Sequence, residues 1–134
     1  MWKILAQPWV MIGSDASIRA PDGILSKDHP HPRAYGSFTK FLRAALDGRT
    51  VPLPEAIRKM TSLAAEQFRL TDRGILKKGN FADVAVFDPA KIKKNTTYAK
   101  PHQLSEGIET LIVNGTLTIE TGKLTGSRNG KFLD

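Results

Sequence analysis

The sequence predicts an α/β chain in which the end of a (β/α) barrel feeds a small β-subdomain. Three observations carry this reading. An apolar run, Val10-Met11-Ile12, breaks off at Gly13-Ser14-Asp15, as a buried strand does when it delivers a residue to the rim of a sheet. Apolar residues then recur at helical spacing as far as Phe68. After Leu70 the pattern turns to short strands punctuated by Asp-Pro, Asn-Gly and Thr-Gly. In barrel enzymes the rim at the C-terminal ends of the strands is where the chemistry is done. The chain has 134 residues, whereas a whole barrel takes about 250, so a site built here is part of a larger one.

Lys3-Ile4-Leu5 and Trp9-Val10-Met11-Ile12 are apolar, and the second is expected to be a buried strand. Residues 14–34 are rich in Pro, Asp, Gly, Ser and His and are expected to form a long loop. A loop of that length inside a compact domain is usually functional. Phe38, Phe41, Leu42, Ala45 and Leu46 share one helical face, and Asp47-Gly48 stops that helix. Pro54-Glu55 opens a second helix, since proline is tolerated and an acid favoured in the first turn. Its apolar face is Ala56, Ile57, Met60 and Leu63 or Ala64, continuing to Phe68, with Thr61-Ser62 positioned to break or re-cap it.

In the second half, Gly74-Ile75-Leu76 is expected as a short strand and Lys77-Lys78-Gly79-Asn80 as a turn. Ala82-Asp83-Val84-Ala85-Val86-Phe87 follows as a strand closed by Asp88-Pro89. Residues 108–113 and 116–120 flank Asn114-Gly115, the strongest short hairpin signal because both turn positions need positive φ. Thr121-Gly122 turns the chain again into Lys123-Leu124-Thr125.

Composition narrows the class. Hydrophobic residues make up 40% of the chain, enough for a modest core, and there is no cysteine, which excludes disulfides and thiolate zinc sites. No apolar run approaches the roughly 18 residues that span a bilayer, and the apolar stretch at the N-terminus is too short for a signal peptide. A soluble, cytoplasmic protein with no membrane partner is expected. The net charge of +7, from 20 basic and 13 acidic residues, invites a nucleic-acid reading. The positive residues are scattered through turns, however, and the aromatics, 7% of the chain, are not interleaved with them. Solvated turns on an ordinary surface account for this pattern better than a nucleic-acid partner does.

Asp15, at the end of the apolar run, has two readings. A carboxylate on a strand end can hold a cation and take a proton from water, or it can cap a turn, as acids beside serine often do. His29 and His31 have the spacing that places two imidazoles on one strand face, but Pro30 and Pro32 remove backbone donors and argue against a central strand. A zinc site wants three or four protein ligands, and His29, His31, His102 and scattered carboxylates do not make a self-contained one. Arg33 follows the stiff Pro-bounded segment, and its planar fork reads carboxylates or phosphates bidentately; an ordinary surface arginine is the alternative. Nucleophile-elbow, P-loop and dinucleotide glycine patterns do not occur.

Four segments in order resemble the C-terminal third of the N-acyl-D-amino-acid deacylases (D-aminoacylases) of the amidohydrolase superfamily. They are Pro8-Trp9-Val10-Met11-Ile12-Gly13-Ser14-Asp15, His31-Pro32-Arg33-Ala34-Tyr35-Gly36-Ser37-Phe38, Lys59-Met60-Thr61-Ser62-Leu63, and the block from Arg73 to Asp88 with its Gly79-Asn80-Phe81-Ala82-Asp83 centre. Val113-Asn114-Gly115 with Thr121-Gly122-Lys123 is similar to the closing hairpin of that family. The last of the four blocks is widespread among amidohydrolases, whereas the His-Pro-Arg block and the Pro-Trp-Val-Met run point to the D-aminoacylase branch. The spacer between Asp15 and His29 is longer than usual, and Ala64 stands where many relatives have proline.

The resemblance implies a fold and a chemistry. Residues 1–70 would be the C-terminal end of the metal-dependent hydrolase barrel, its last strand and helices, and residues 71–134 the strands of a small β-sandwich. Asp15 matches the aspartate at the end of the eighth strand that binds the catalytic metal and acts as general base. Arg33 matches the arginine that grips the substrate's α-carboxylate, and His31 shapes the same loop. The implied reaction is zinc-assisted hydrolysis of an N-acyl-D-amino acid, with Asp15 shuttling a proton to the leaving amine. The other zinc ligands sit on earlier strands of the family and are absent from this chain. An isolated chain is therefore expected to be inactive, to expose apolar edges, and to need the missing N-terminal barrel portion or to self-associate. Two alternatives compete: an amidohydrolase acting on cyclic amides, like dihydroorotases or hydantoinases, and a non-enzymatic basic β-module that binds nucleic acid.

Overall fold

A computed structural model describes residues 1–133. A short helix α1 (Trp2–Leu5) and an irregular stretch broken by one 3-10 turn (Gly23–Ser26) precede three helices, α2 (Arg33–Leu46), α3 (Leu53–Met60) and α4 (Ser62–Gln67). Four strands follow, β1 (Val84–Phe87), β2 (Ile108–Val113), β3 (Thr116–Glu120) and β4 (Lys123–Leu124). They form one antiparallel sheet in the order β1-β2-β3-β4. The chain is thus a small α/β unit, helices first and sheet second.

The helical core is where α1, α2 and α3 meet. Phe41, Ala45, Val51 and Ala56 are buried, with Trp2, Leu5, Ile12 and Met60 packed against them. Phe41 and Ala45 lie one turn apart, as a single buried stripe requires. Asp47 ends α2 as expected, its N–H bonding back to Arg43 O at 3.0 Å. Thr61, with φ −133° and ψ −92°, breaks the helical run between α3 and α4 as the Thr61-Ser62 pair suggests.

In the sheet, Asn114 (φ 50°) and Gly115 (φ 78°) make the hairpin turn in the left-handed region, the geometry that matches the natural strand twist. Asp83 supports that turn: its Oδ1 accepts the Asn114 N–H at 2.8 Å, and Arg73 pairs with the same carboxylate while donating to Asn114 Oδ1 at 2.6 Å. Every residue of β2 is only half-buried, and β4 is exposed. No residue of the four strands is fully buried, so among the described residues neither face of the sheet is closed by a covering layer, which a β-sheet with an apolar face normally needs.

Helices and sheet are joined by the connection between β1 and β2. Ile92 and Thr96 are buried there, and Ser105 Oγ donates to Tyr35 O at 3.1 Å on α2. Close approach is possible because position 36 of α2 is glycine. A Cβ there would meet Lys94 Cγ at 2.5 Å and Thr96 Cγ2 at 2.6 Å.

Three expectations are corrected. Residues 9–12 are not a strand: Trp9 is exposed, and the Ile12 N–H is taken by the Lys59 carbonyl at 3.3 Å. A strand exists only through its neighbours, and among the described residues none lies beside this run. Gly74-Ile75-Leu76 is not a strand either. Asn80 Nδ2 donates to Ile75 O at 3.3 Å and the Phe81 N–H to Asp72 O at 3.0 Å, which closes the segment into a local loop with Ile75 and Leu76 exposed. Finally, α2 begins at Arg33 rather than beyond residue 34, so Arg33 belongs to the helix and not to the loop.

Candidate functional site

The start of α2 explains the His-Pro-His-Pro-Arg segment. Pro32 has φ −53° and stands immediately before the helix, where a missing N–H costs nothing. The first helical N–H groups lack intrahelical partners, and the His31 ring supplies one: Arg33 N–H donates to His31 Nδ1 at 3.0 Å. That bond makes Nδ1 the acceptor, so the neutral ring carries its proton on Nε2, which reaches Tyr98 Oη at 3.1 Å. The two rings meet edge to face, with centroids 5.1 Å apart. His29 Nε2 donates to the Tyr98 carbonyl at 2.7 Å. The two histidines thus grip Tyr98 from either side, and Pro30 and Pro32 between and after them are buried.

Arg33 sits on the first residue of α2, where the helix dipole disfavours a cation. Asp15 offsets that penalty: its Oδ2 lies 3.1 Å from Arg33 Nη2. Asp15 has φ +49°, a left-handed conformation that aspartate tolerates better than most residues. Its side chain is 90% exposed and that of Arg33 46%, so the pair contributes little stability in water. Its significance is positional, because it brings the end of the apolar run onto the helix start.

Beside the pair is a cavity of about 400 Å³ between α1, residues 11–13 and α2. Leu5, Ile12 and Phe41 give it apolar walls, and His31, Arg33 and Tyr98 also line it. Asp15 is not among its lining residues.

A metal ion would find one candidate ligand here. Among the described residues no three His, Cys, Asp or Glu side chains come together in a way that could hold one. His29 and His31 are occupied with Tyr98, and His102 packs against Tyr35 with ring centroids 6.0 Å apart. The open carboxylate of Asp15 fits as a single oxygen ligand, while a catalytic zinc site takes three protein ligands.

Two residues at this end of the molecule escape a reading of the sequence. Tyr98 lies in a polar stretch with no periodic signal. Lys59 did carry one: it stands three residues after Ala56 and four before Leu63, on the apolar stripe of the helix. It is completely buried, and its Nζ donates to Val10 O at 2.9 Å and to Gln7 O. Burial pushes its pKa down, the nearby Glu55 carboxylate opposes that shift, and Arg58 adds to it.

A family model of the amidohydrolases matches residues 3–119, and the chain belongs to the amidohydrolase family. Among curated relatives, it is 39% identical to the N-acyl-D-aspartate deacylase of Alcaligenes xylosoxydans xylosoxydans over 98% of its own length and 25% of that protein's. A crystal structure of D-aminoacylase matches with a TM-score of 0.80 and 37% identity, over 94% of this chain and 25% of that one. The N-acyl-D-glutamate deacylase of Bordetella bronchiseptica, solved with zinc and a phosphonate that mimics the tetrahedral intermediate, matches with a TM-score of 0.76 and 38% identity, over 87% of this chain and 23% of that one. The chain therefore spans about a quarter of the length of the relatives it matches.

Proposed function

We propose that this chain supplies the general base and the carboxylate-binding arginine of a zinc-dependent N-acyl-D-amino-acid deacylase whose remaining barrel strands come from outside these residues. In this reading residues 1–70 are the end of the barrel and residues 71–134 strands of the β-sandwich. The observation that carries it is the 3.1 Å approach of Asp15 to Arg33, on a helix start where an arginine serves no stabilising purpose of its own. Partners are a small N-acyl amino acid and the missing barrel portion or, without it, further copies of the chain. A cytoplasmic location goes with this reading.

Zinc, when bound, supplies Lewis-acid polarisation of the amide carbonyl and of the attacking water. Asp15 would give it one carboxylate oxygen. The same carboxylate takes the proton of the attacking water and returns it to the departing amine, a task that suits an acid whose side chain is exposed. Arg33 holds the substrate's α-carboxylate through its two-pronged guanidinium, and the His31 ring, pinned between the Arg33 N–H and Tyr98, keeps the start of α2 in place.

The test is complementation. The chain is combined, in trans or by fusion, with the preceding three-quarters of a D-aminoacylase relative and assayed on N-acetyl-D-amino acids with zinc. Turnover is expected in the combination and not in the chain alone. D15N should lower kcat by about 100- to 10,000-fold, whereas R33A should chiefly raise KM, by about 10- to 100-fold for a lost charged hydrogen bond. Tight stoichiometric zinc binding by the isolated chain, or turnover without the added portion, would sink the idea of a partial site.

A further inference from the structure

We propose that Lys59 is a positioning residue: its ammonium, held inside the fold against the carbonyls of Gln7 and Val10, sets the path of the segment that ends on Asp15. Residues 9–12 pair with no strand among those described, so their hold within these residues comes from elsewhere. Adjacent residues of α3 provide it. Lys59 Nζ donates to Gln7 O and Val10 O, Arg58 Nη2 donates to Pro8 O at 2.7 Å, and Lys59 O accepts the Ile12 N–H at 3.3 Å. Arg58 is itself fixed by both oxygens of Glu55, at 2.7 and 2.8 Å.

Energetics single out the lysine. A charged amine taken wholly out of water is costly, and an apolar residue of similar size on that stripe would avoid the cost. Glu55 is a weak compensator, its Oε1 3.9 Å from Nζ. What the amine provides, and an apolar residue cannot, is donors for two backbone carbonyls on a loop. Those carbonyls lie five and eight residues before Asp15 (15 − 10 and 15 − 7), so the clamp defines where the run leaves the core. The link to catalysis rests on the role of Asp15 proposed above, but the clamp itself is read without any activity.

The chain has no cysteine, so K59C provides a unique thiol. Alkylating it with 2-bromoethylamine in the unfolded state, then refolding, restores an ammonium on a side chain of the same reach. Amide hydrogen exchange, followed by mass spectrometry on the full chain, compares wild type, K59M and K59C before and after alkylation. K59M should speed exchange over residues 7–15 by roughly ten- to hundredfold, while α2 stays protected, and alkylated K59C should regain wild-type protection. Unchanged exchange over residues 7–15 in K59M overturns the proposal. So does equal acceleration in α2, which would mark a general loss of stability. Should K59M fail to fold, alkylated K59C decides: refolding with residues 7–15 protected supports the clamp, and failure to refold overturns it. If Asp15 proves to have no catalytic role, the exchange result stands unaltered.

Discussion

Replacing Gly36 by alanine sets two effects of opposite sign against each other. In the interior of a helix, alanine is favoured over glycine by about 1 kcal/mol, so G36A on an open helix face would stabilise. Gly36 is not open. The new methyl would lie 2.5 Å from Lys94 Cγ, 2.6 Å from Thr96 Cγ2 and 2.8 Å from Lys94 Cδ. Thr96 is fully buried and tied by its Oγ1 to Pro101 O at 2.9 Å, so it cannot swing away cheaply. Overpacking of this kind costs about 1–3 kcal/mol. All three contacts lie well inside van der Waals distance, which places the cost in the upper part of that range, and the net expectation is destabilisation by about 1–2 kcal/mol. In a chain of this length that is a fall in Tm of about 3–8 °C. Urea unfolding of G36A measures it directly. The same substitution in a K94A/T96S background, which removes the three crowding atoms but keeps the Thr96 hydroxyl in place as serine, should become neutral or stabilising. If G36A stabilises the wild-type chain, the connection between β1 and β2 does not pack on α2 as described.

Lys59 makes stability depend on pH in a direction that can be stated. Burial holds its folded pKa below the ordinary 10.5, so between the two values the unfolded chain carries a proton the folded chain has lost, and stability rises with pH. The stability of wild type relative to K59M should therefore increase as pH is raised from neutral towards 10.5, with Glu55 and Arg58 as the facing charges; a constant or falling difference contradicts the buried geometry. Asp47 follows the same sign at the acid end: hydrogen bonds from Arg49 and Arg43 hold its pKa below 3.8. Its contribution is present above that value and fades as pH drops through the folded pKa, and D47N should remove this acid-side loss in unfolding curves. Nitrogen NMR of the neutral His31 ring should find the proton on Nε2, and a proton on Nδ1 would contradict the bond from the Arg33 N–H. On the edge strand β1, Val86 is exposed, so V86K should reduce concentration-dependent association of the isolated chain in sedimentation experiments, the usual effect of a charge on an open edge.

Local signals in the sequence carried much of this molecule. Asn114-Gly115 announces its hairpin because few residues accept positive φ at both turn positions, and Asp47-Gly48 and Thr61-Ser62 end helices for similarly local reasons. Asp15 and Arg33 were visible as a lone acid after an apolar run and an arginine behind stiff prolines. Their 3.1 Å approach was not, since it depends on how an irregular loop folds back onto α2. The run at residues 9–12 reads as a strand because apolarity marks burial, yet a strand is a property of a pair, and no strand lies beside this run among the described residues. Lys59 and Tyr98 show the same limit from the other side: a lysine on an apolar stripe and a tyrosine in a polar stretch gain their meaning only from the backbone carbonyls and histidine rings that the tertiary structure brings to them. Sequence determined the turns, the helices and the identity of the chemical groups. Tertiary structure alone decided which of them meet, because contacts between segments far apart in the chain are set by packing and not by local preference.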